Sequence, residues 1–231
     1  MFNRETFKIF LLGLICLTCA GCFQAESTIT VNDDGTVITK SKFVAIPYLA
    51  GAIGETKNNL AKNNPNAKIN PVSEGNLSGY EVELNYASMD KFISNDMVMY
   101  QAIPGKCAGL QQNKGWFFNE YSFDFCFEGR DMNTQNNEGA AIAQAMLAQV
   151  KFDFVINLPY SAESSNADFT SNEGKTLTWN LATALINGQD KFVKVKFKIW
   201  NRAQIAITIF LVLAILGGTI YSLNKSKSVE Q

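Results

Sequence analysis

Histidine does not occur among these 231 residues. Its absence removes His-based catalytic triads, His metal sites and the usual proton shuttle near neutral pH. An excess of either charge is missing too: 20 Lys and Arg stand against 21 Asp and Glu, a formal charge of −1. No basic surplus points to nucleic acid, and no RNA- or DNA-binding motif occurs. Catalytic signatures are also lacking. No G-x-S-x-G nucleophile elbow is present. Ser171 to Thr176, "SNEGKT", looks like the end of a phosphate loop, but Phe169 stands where that pattern requires its first glycine. Asn32 to Gly35, "NDDG", lacks the downstream Glu of a calcium loop and reads as a turn. The chain is therefore expected to be no enzyme, and to carry no cofactor and no metal.

What is present is apolar. The composition is that of a globular protein, 47% apolar and 18% charged, with 17 Phe and 7 Tyr that suggest aromatic-rich strands. The N-terminus reads MFNRETFKIFLLGLICLTCAGC. Arg4 and Lys8 make a modest basic region, and Ile9 to Ala20 is an apolar run too short to span comfortably as a permanent helix. Ala20, Gly21 and Cys22 follow. This order is a secretory signal over residues 1–21 ending in a bacterial lipobox, with Cys22 diacylated as the first residue of the mature chain. Cys19 occupies a position where lipoboxes usually carry Leu, and free Cys is itself a small hydrophobe. The alternatives are an ordinary signal peptide cut after Ala20 or Ala25, or an uncleaved anchor.

A second apolar run, Ala203 to Leu223, holds no charged residue. At about 1.5 Å per residue it crosses a hydrocarbon core of roughly 30 Å. Trp200 and Tyr221 near its ends are interface anchors. Residues 203–223 are thus expected to be a transmembrane helix, followed by a cytoplasmic tail over 224–231. Lys191, Lys194, Lys196, Lys198 and Arg202 precede the helix and outnumber Lys225 and Lys227 after it. Four of those five belong to a strand pattern within a folded domain, and the export signal already commits that domain to the outside. The expected layout is an extracytoplasmic domain over 22–202, on the periplasmic or outer face of a bacterial cell membrane, in a single-pass protein held at both ends.

Cysteine usage follows from that layout. Cys16 and Cys19 leave with the signal and Cys22 takes lipid, so Cys107 and Cys126 remain as a pair in an oxidising compartment. A disulfide between them is expected, the alternative being two free thiols. Along the domain, apolar and polar residues alternate with period 2. Tyr80, Val82, Leu84 and Tyr86 share one parity, as do Phe117, Tyr121, Phe123, Phe125 and Phe127. So do Phe152, Phe154, Ile156 and Leu158, then Leu177, Trp179 and Leu181, then Val193, Val195, Phe197 and Ile199. Ser27 to Asn32 and Thr36 to Ile46 flank Asp33-Asp34-Gly35 as a hairpin. Helices are expected from Pro47 to Leu60, over Ser88 to Asn95 and over Glu138 to Gln149. Residues 63–79 and 161–174 read as polar loops. The expected class is α+β: an antiparallel sheet whose apolar face is covered by a few helices, plus the C-terminal transmembrane helix. Glu81 and Glu83 fall on a wet strand face. Lys194, Lys196 and Lys198 form a basic row that either meets anionic headgroups or is a solvated face.

The order Cys22, "STITVNDDGTVITKSKFVAI", an α+β body, "GKTLTWNLATALINGQDKFVKVKFKIWN" and one terminal helix resembles the LppM-type lipoproteins of bacterial envelopes. The matching residues are Asp34, Gly35, Thr36, Val37, Trp179 and Leu181. The resemblance implies an α/β sandwich-like body with a hydrophobic cavity and an affinity for membrane lipids or glycolipids, and it supplies no catalytic residue. On that reading Phe117, Phe123, Phe125, Phe152, Phe154 and Trp179 line a ligand site. The competing readings are that these rings simply fill the core of a non-enzymatic scaffold that binds envelope partners through its polar face and loops, or that the chain is an enzyme without His.

Overall fold

The computed structural model describes residues 23–47, 66–95, 106–129, 150–182, 184 and 189–227. The period-2 segments become strands, because alternating side chains place one apolar and one polar face on an extended chain. In chain order they are β1 (Phe23–Val31), β2 (Val37–Ala45), β3 (Lys68–Glu74), β4 (Leu77–Tyr86), β5 (Gly109–Lys114), β6 (Phe118–Phe127), β7 (Lys151–Asn157), β8 (Ser164–Ser165), β9 (Phe169–Ser171), β10 (Thr176–Asn180) and β11 (Lys191–Trp200). The helices are α1 (Met89–Asn95) and α2 (Arg202–Lys227), with a 3-10 turn at Asn172–Gly174.

The strands form two sheets. One has seven strands in the order β3-β4-β2-β1-β7-β10-β9, and the other has four in the order β5-β6-β11-β8. Their apolar faces share a single hydrophobic core, built from Ile29, Phe154, Ile156 and Trp179 on one side and from Phe123, Phe125, Val195 and Phe197 on the other. The Phe127 and Phe154 rings meet across the gap with centroids 5.7 Å apart. Asn166, between β8 and β9, ties the layers together. Its Oδ1 accepts hydrogen bonds from the Trp179 indole at 2.9 Å and from the Lys194 backbone N–H at 2.7 Å. Its Nδ2 donates to the Phe192 carbonyl.

This arrangement corrects the expected fold class. Among the described residues the body is a two-sheet β-sandwich and not an α+β sheet covered by helices. The physical reason is that alternation fixes which face of a strand is apolar and says nothing about what covers it. The sheet is also not wholly antiparallel, because β1 pairs with β7 in parallel, Gln24 opposite Lys151 through Thr30 opposite Asn157. Two expected loops are strands instead. Part of 63–79 is β3, paired to β4 across a turn at Gly75 (φ +60°). Pro71 hides this strand from a periodicity reading, yet it is tolerated because β3 lies at the sheet edge. Within 161–174, β8 and β9 are too short to show a period. The helix expected from Pro47 lies almost entirely outside the described residues, and so does the one over Glu138–Gln149. The short helix expected after Tyr86 is α1, whose Met89 and Phe92 enter the core.

Candidate functional site

Cys22 lies outside the described residues. Phe23, bonded to it, opens β1 in the interior of the seven-stranded sheet, opposite Ala45 of β2. Cys107 and Cys126 are joined by a disulfide with Cα atoms 5.9 Å apart, fastening the segment before β5 to the end of β6. Nearby, Lys106 Nζ reaches Asp190 at 2.9 Å and Glu128 at 3.0 Å. These contacts raise the Lys106 pKa and lower that of Asp190.

The six aromatics named as a ligand site do not stay together. Phe123, Phe125, Phe154 and Trp179 are buried between the sheets, where they touch one another and Phe197. Phe152 is half-buried against the same core. Phe117 is 47% exposed, outside β6 on the turn that joins it to β5. A polar hollow of about 320 Å³ lies on the outer face of the seven-stranded sheet, lined by Glu26, Thr28, Lys40, Lys42 and Glu81 among others. Its charges pair across strands: Lys42 Nζ sits 2.8 Å from Glu74, and Lys40 Nζ sits 3.2 Å from Glu83. Asn85, Lys40 and Lys68 all donate to Glu83 and hold its carboxyl down to about 2. Of the row on β11, Lys194 lies 3.6 Å from Asp124, and Lys198 pairs with Glu163 and sits over the Phe118 ring at 4.6 Å. Among the described residues no cluster of three or more His, Cys, Asp or Glu is arranged for a metal ion.

The end of the sandwich where β11 passes into α2 is more distinctive. Asn201 alone separates the two elements. The Asn201 carbonyl accepts from the Ile205 N–H and so opens the helix, while its own N–H donates to the Phe117 carbonyl at 2.8 Å. Its Nδ2 donates to the Gly115 carbonyl. Arg202 pairs with Asp33 in the β1–β2 turn. That turn is shaped by Asp34, whose Oδ1 accepts from the Thr36 N–H and hydroxyl, which lowers its pKa. The Trp116 indole N–H donates to Thr208 Oγ1 at 3.1 Å, two turns into the helix. The base of α2 is thereby bonded to both sheets. Beside it lies a cleft of about 280 Å³ lined by Asp34, Asp90, Lys114, Tyr121, Trp200 and Gln204 among others. Lys114 donates to Asp90 at 2.8 Å, and burial raises the Tyr121 hydroxyl.

Beyond this joint α2 stands clear of the sandwich. Every large apolar side chain from Ile207 to Ile220 is at least 50% exposed. Arg202–Ile220 is long and apolar enough to cross a membrane, and none of that window is buried. Sequence reading found α2 and Trp200. It missed Trp116 and the true place of Phe117, because "NKGWFFNE" reads as the start of a strand and only the β5–β6 turn turns the first two rings outward.

No family model matches the chain, and no curated protein matches it in sequence. Among solved structures it is similar to the NMR structure of the folded domain of Mycobacterium tuberculosis LppM. The two are 9% identical with a TM-score of 0.44, over 79% of this chain and 93% of that one. No residue role passes from that protein to this one at such a distance.

Proposed function

We propose that this chain is a bacterial envelope lipoprotein whose β-sandwich stands outside the cytoplasmic membrane, held there by α2 and by acylated Cys22. It acts without catalysis, as a module that meets its partners through its surface. The observation that carries the reading is α2 itself. A helix with no polar face and no protein cover buries its apolar surface only in lipid. The export signal and Cys22 add the side of the membrane and the second anchor. A surface role is favoured over a lipid ligand among the aromatics because Phe123, Phe125, Phe154 and Trp179 pack between the sheets and Phe117 lies outside them.

The test is mass spectrometry of the N-terminal peptide from the membrane fraction, with alkaline extraction of the same fraction. A diacylglyceryl mass on Cys22 and retention after extraction are expected. An unmodified peptide starting at Gly21 removes the lipoprotein reading, and release by alkali removes the spanning helix. One lipid per chain in an organic extract of the purified protein would restore the ligand reading in place of the scaffold.

A further inference from the structure

Four large apolar side chains of the described sandwich are at least 47% exposed: Trp116, Phe117, Phe169 and Trp200. Three of them gather at the base of α2. Trp116 is hydrogen-bonded to Thr208, Phe117 holds Asn201 through its carbonyl, and Trp200 stacks edge-on against Phe118 with centroids 5.9 Å apart. Thr208 lies six residues beyond Arg202, about 9 Å along the helix. The headgroup layer is only about 5–7 Å deep on each side of the hydrocarbon. With Arg202 at the headgroups, the indole bonded to Thr208 reaches the boundary with the acyl chains. An indole is suited to that level, since it is apolar in body with a single N–H to satisfy, and here Thr208 accepts that proton.

We propose that the tip of the β5–β6 hairpin is a membrane-inserted wedge. In it, Trp116 and Phe117 enter the outer leaflet beside α2 and Trp200 seats the domain at the surface. The partner is the lipid bilayer interface, whatever its headgroup charge. The cations nearest the tip are already matched: Lys114 by Asp90, Arg202 by Asp33 and Lys198 by Glu163. The contact is therefore apolar. Gly115 lets the tip turn this closely, for a Cβ there would stand 2.5 Å from the Phe118 carbonyl oxygen. The proposal rests on α2 spanning the membrane and adds a third point of insertion to α2 and acylated Cys22, one that seats the hairpin end of the sandwich on the bilayer.

The experiment uses the full chain carrying Trp200→Phe, reconstituted in phosphatidylcholine vesicles with bromine on either shallow or deep acyl carbons. Trp116 and Trp179 then remain, and Trp179 is fully buried in the core. Shallow bromines are expected to quench the emission more than deep ones, and adding Trp116→Phe should abolish the quenched share. A third chain, with Trp116→Phe and Phe117→Trp on the same background, moves the reporter by one residue and should regain it. Emission untouched by bromine, from protein that floats with the vesicles and resists alkali, overturns the wedge and leaves the spanning helix standing. Protein that does not float with the vesicles overturns both.

Discussion

Gly79 shows how much one hydrogen atom can matter in this fold. It sits in β4 opposite Val44, between β2 and β3. A Cβ there would lie 1.9 Å from the Phe43 carbonyl oxygen and 2.9 Å from the Val44 Cα. Both obstacles are backbone, so the ladder itself must shift. Gly79→Ala is expected to cost about 1–3 kcal/mol, the range of overpacked interiors, read by urea denaturation. Gly75→Ala, at a positive φ but in open space, should cost about 1–2 kcal/mol from backbone strain alone. Glu83 makes a prediction in pH. Its carboxyl titrates at about 2 in the folded chain, below the ordinary 4.5. A depressed pKa stabilises the fold above the unfolded value, and that stability is lost as pH falls through the folded one. Melting temperature should thus decline from about pH 4.5 toward 2, and Glu83→Gln should flatten part of the decline. An unchanged acid limb in the variant would remove Glu83 as its source.

At the scale of elements, β5 and β6 form a hairpin tethered at both ends. The Cys107–Cys126 bond closes it at one end, and the Asn201 and Thr208 contacts hold its tip at the other. Replacing both cysteines by serine is expected to lower stability by about 3 kcal/mol, the size for a loop of this length. The loss should show as a lower melting temperature, and reduction of the native chain with dithiothreitol should reproduce it. Sequence reading placed β4, β6, β7, β10 and β11 to within a few residues, since each carries several alternating pairs. It missed β3, β5, β8 and β9. β3 is interrupted by Pro71, β5 is mostly polar with no alternation to show, and the short β8 and β9 are held by neighbours and not by a pattern of their own. The aromatic set was legible as apolar, but whether a ring lines a cavity or fills a core depends on the layer opposite it.

The two proposed anchors together impose a constraint on the whole molecule. β1 starts at Phe23, next to Cys22, and its far end leads into the turn where Asp33 holds Arg202. Its nine residues advance about 3.3 Å each, so the two ends stand about 26 Å apart. Acylation of Cys22 and insertion of α2 in one bilayer therefore require the sandwich to recline, with β1 close to the membrane plane. Truncation after Asn201 should leave the chain in the membrane fraction through Cys22 alone, and the same truncation with Cys22→Ser should release it. Release by truncation alone would contradict acylation. Retention of the double variant would mean that the β5–β6 tip holds the sandwich to the bilayer by itself.

The sequence by itself determined which strands have an apolar face, where the long apolar helix begins and that no His is present. These follow from local period, length and composition. Only the tertiary structure decided that a second sheet covers the first, that Phe117 leaves the core, and that Trp116 reaches α2 from 92 residues away. Such pairings are set by long-range burial and by turn geometry. A period along the chain records which way a side chain points, not what waits on the other side.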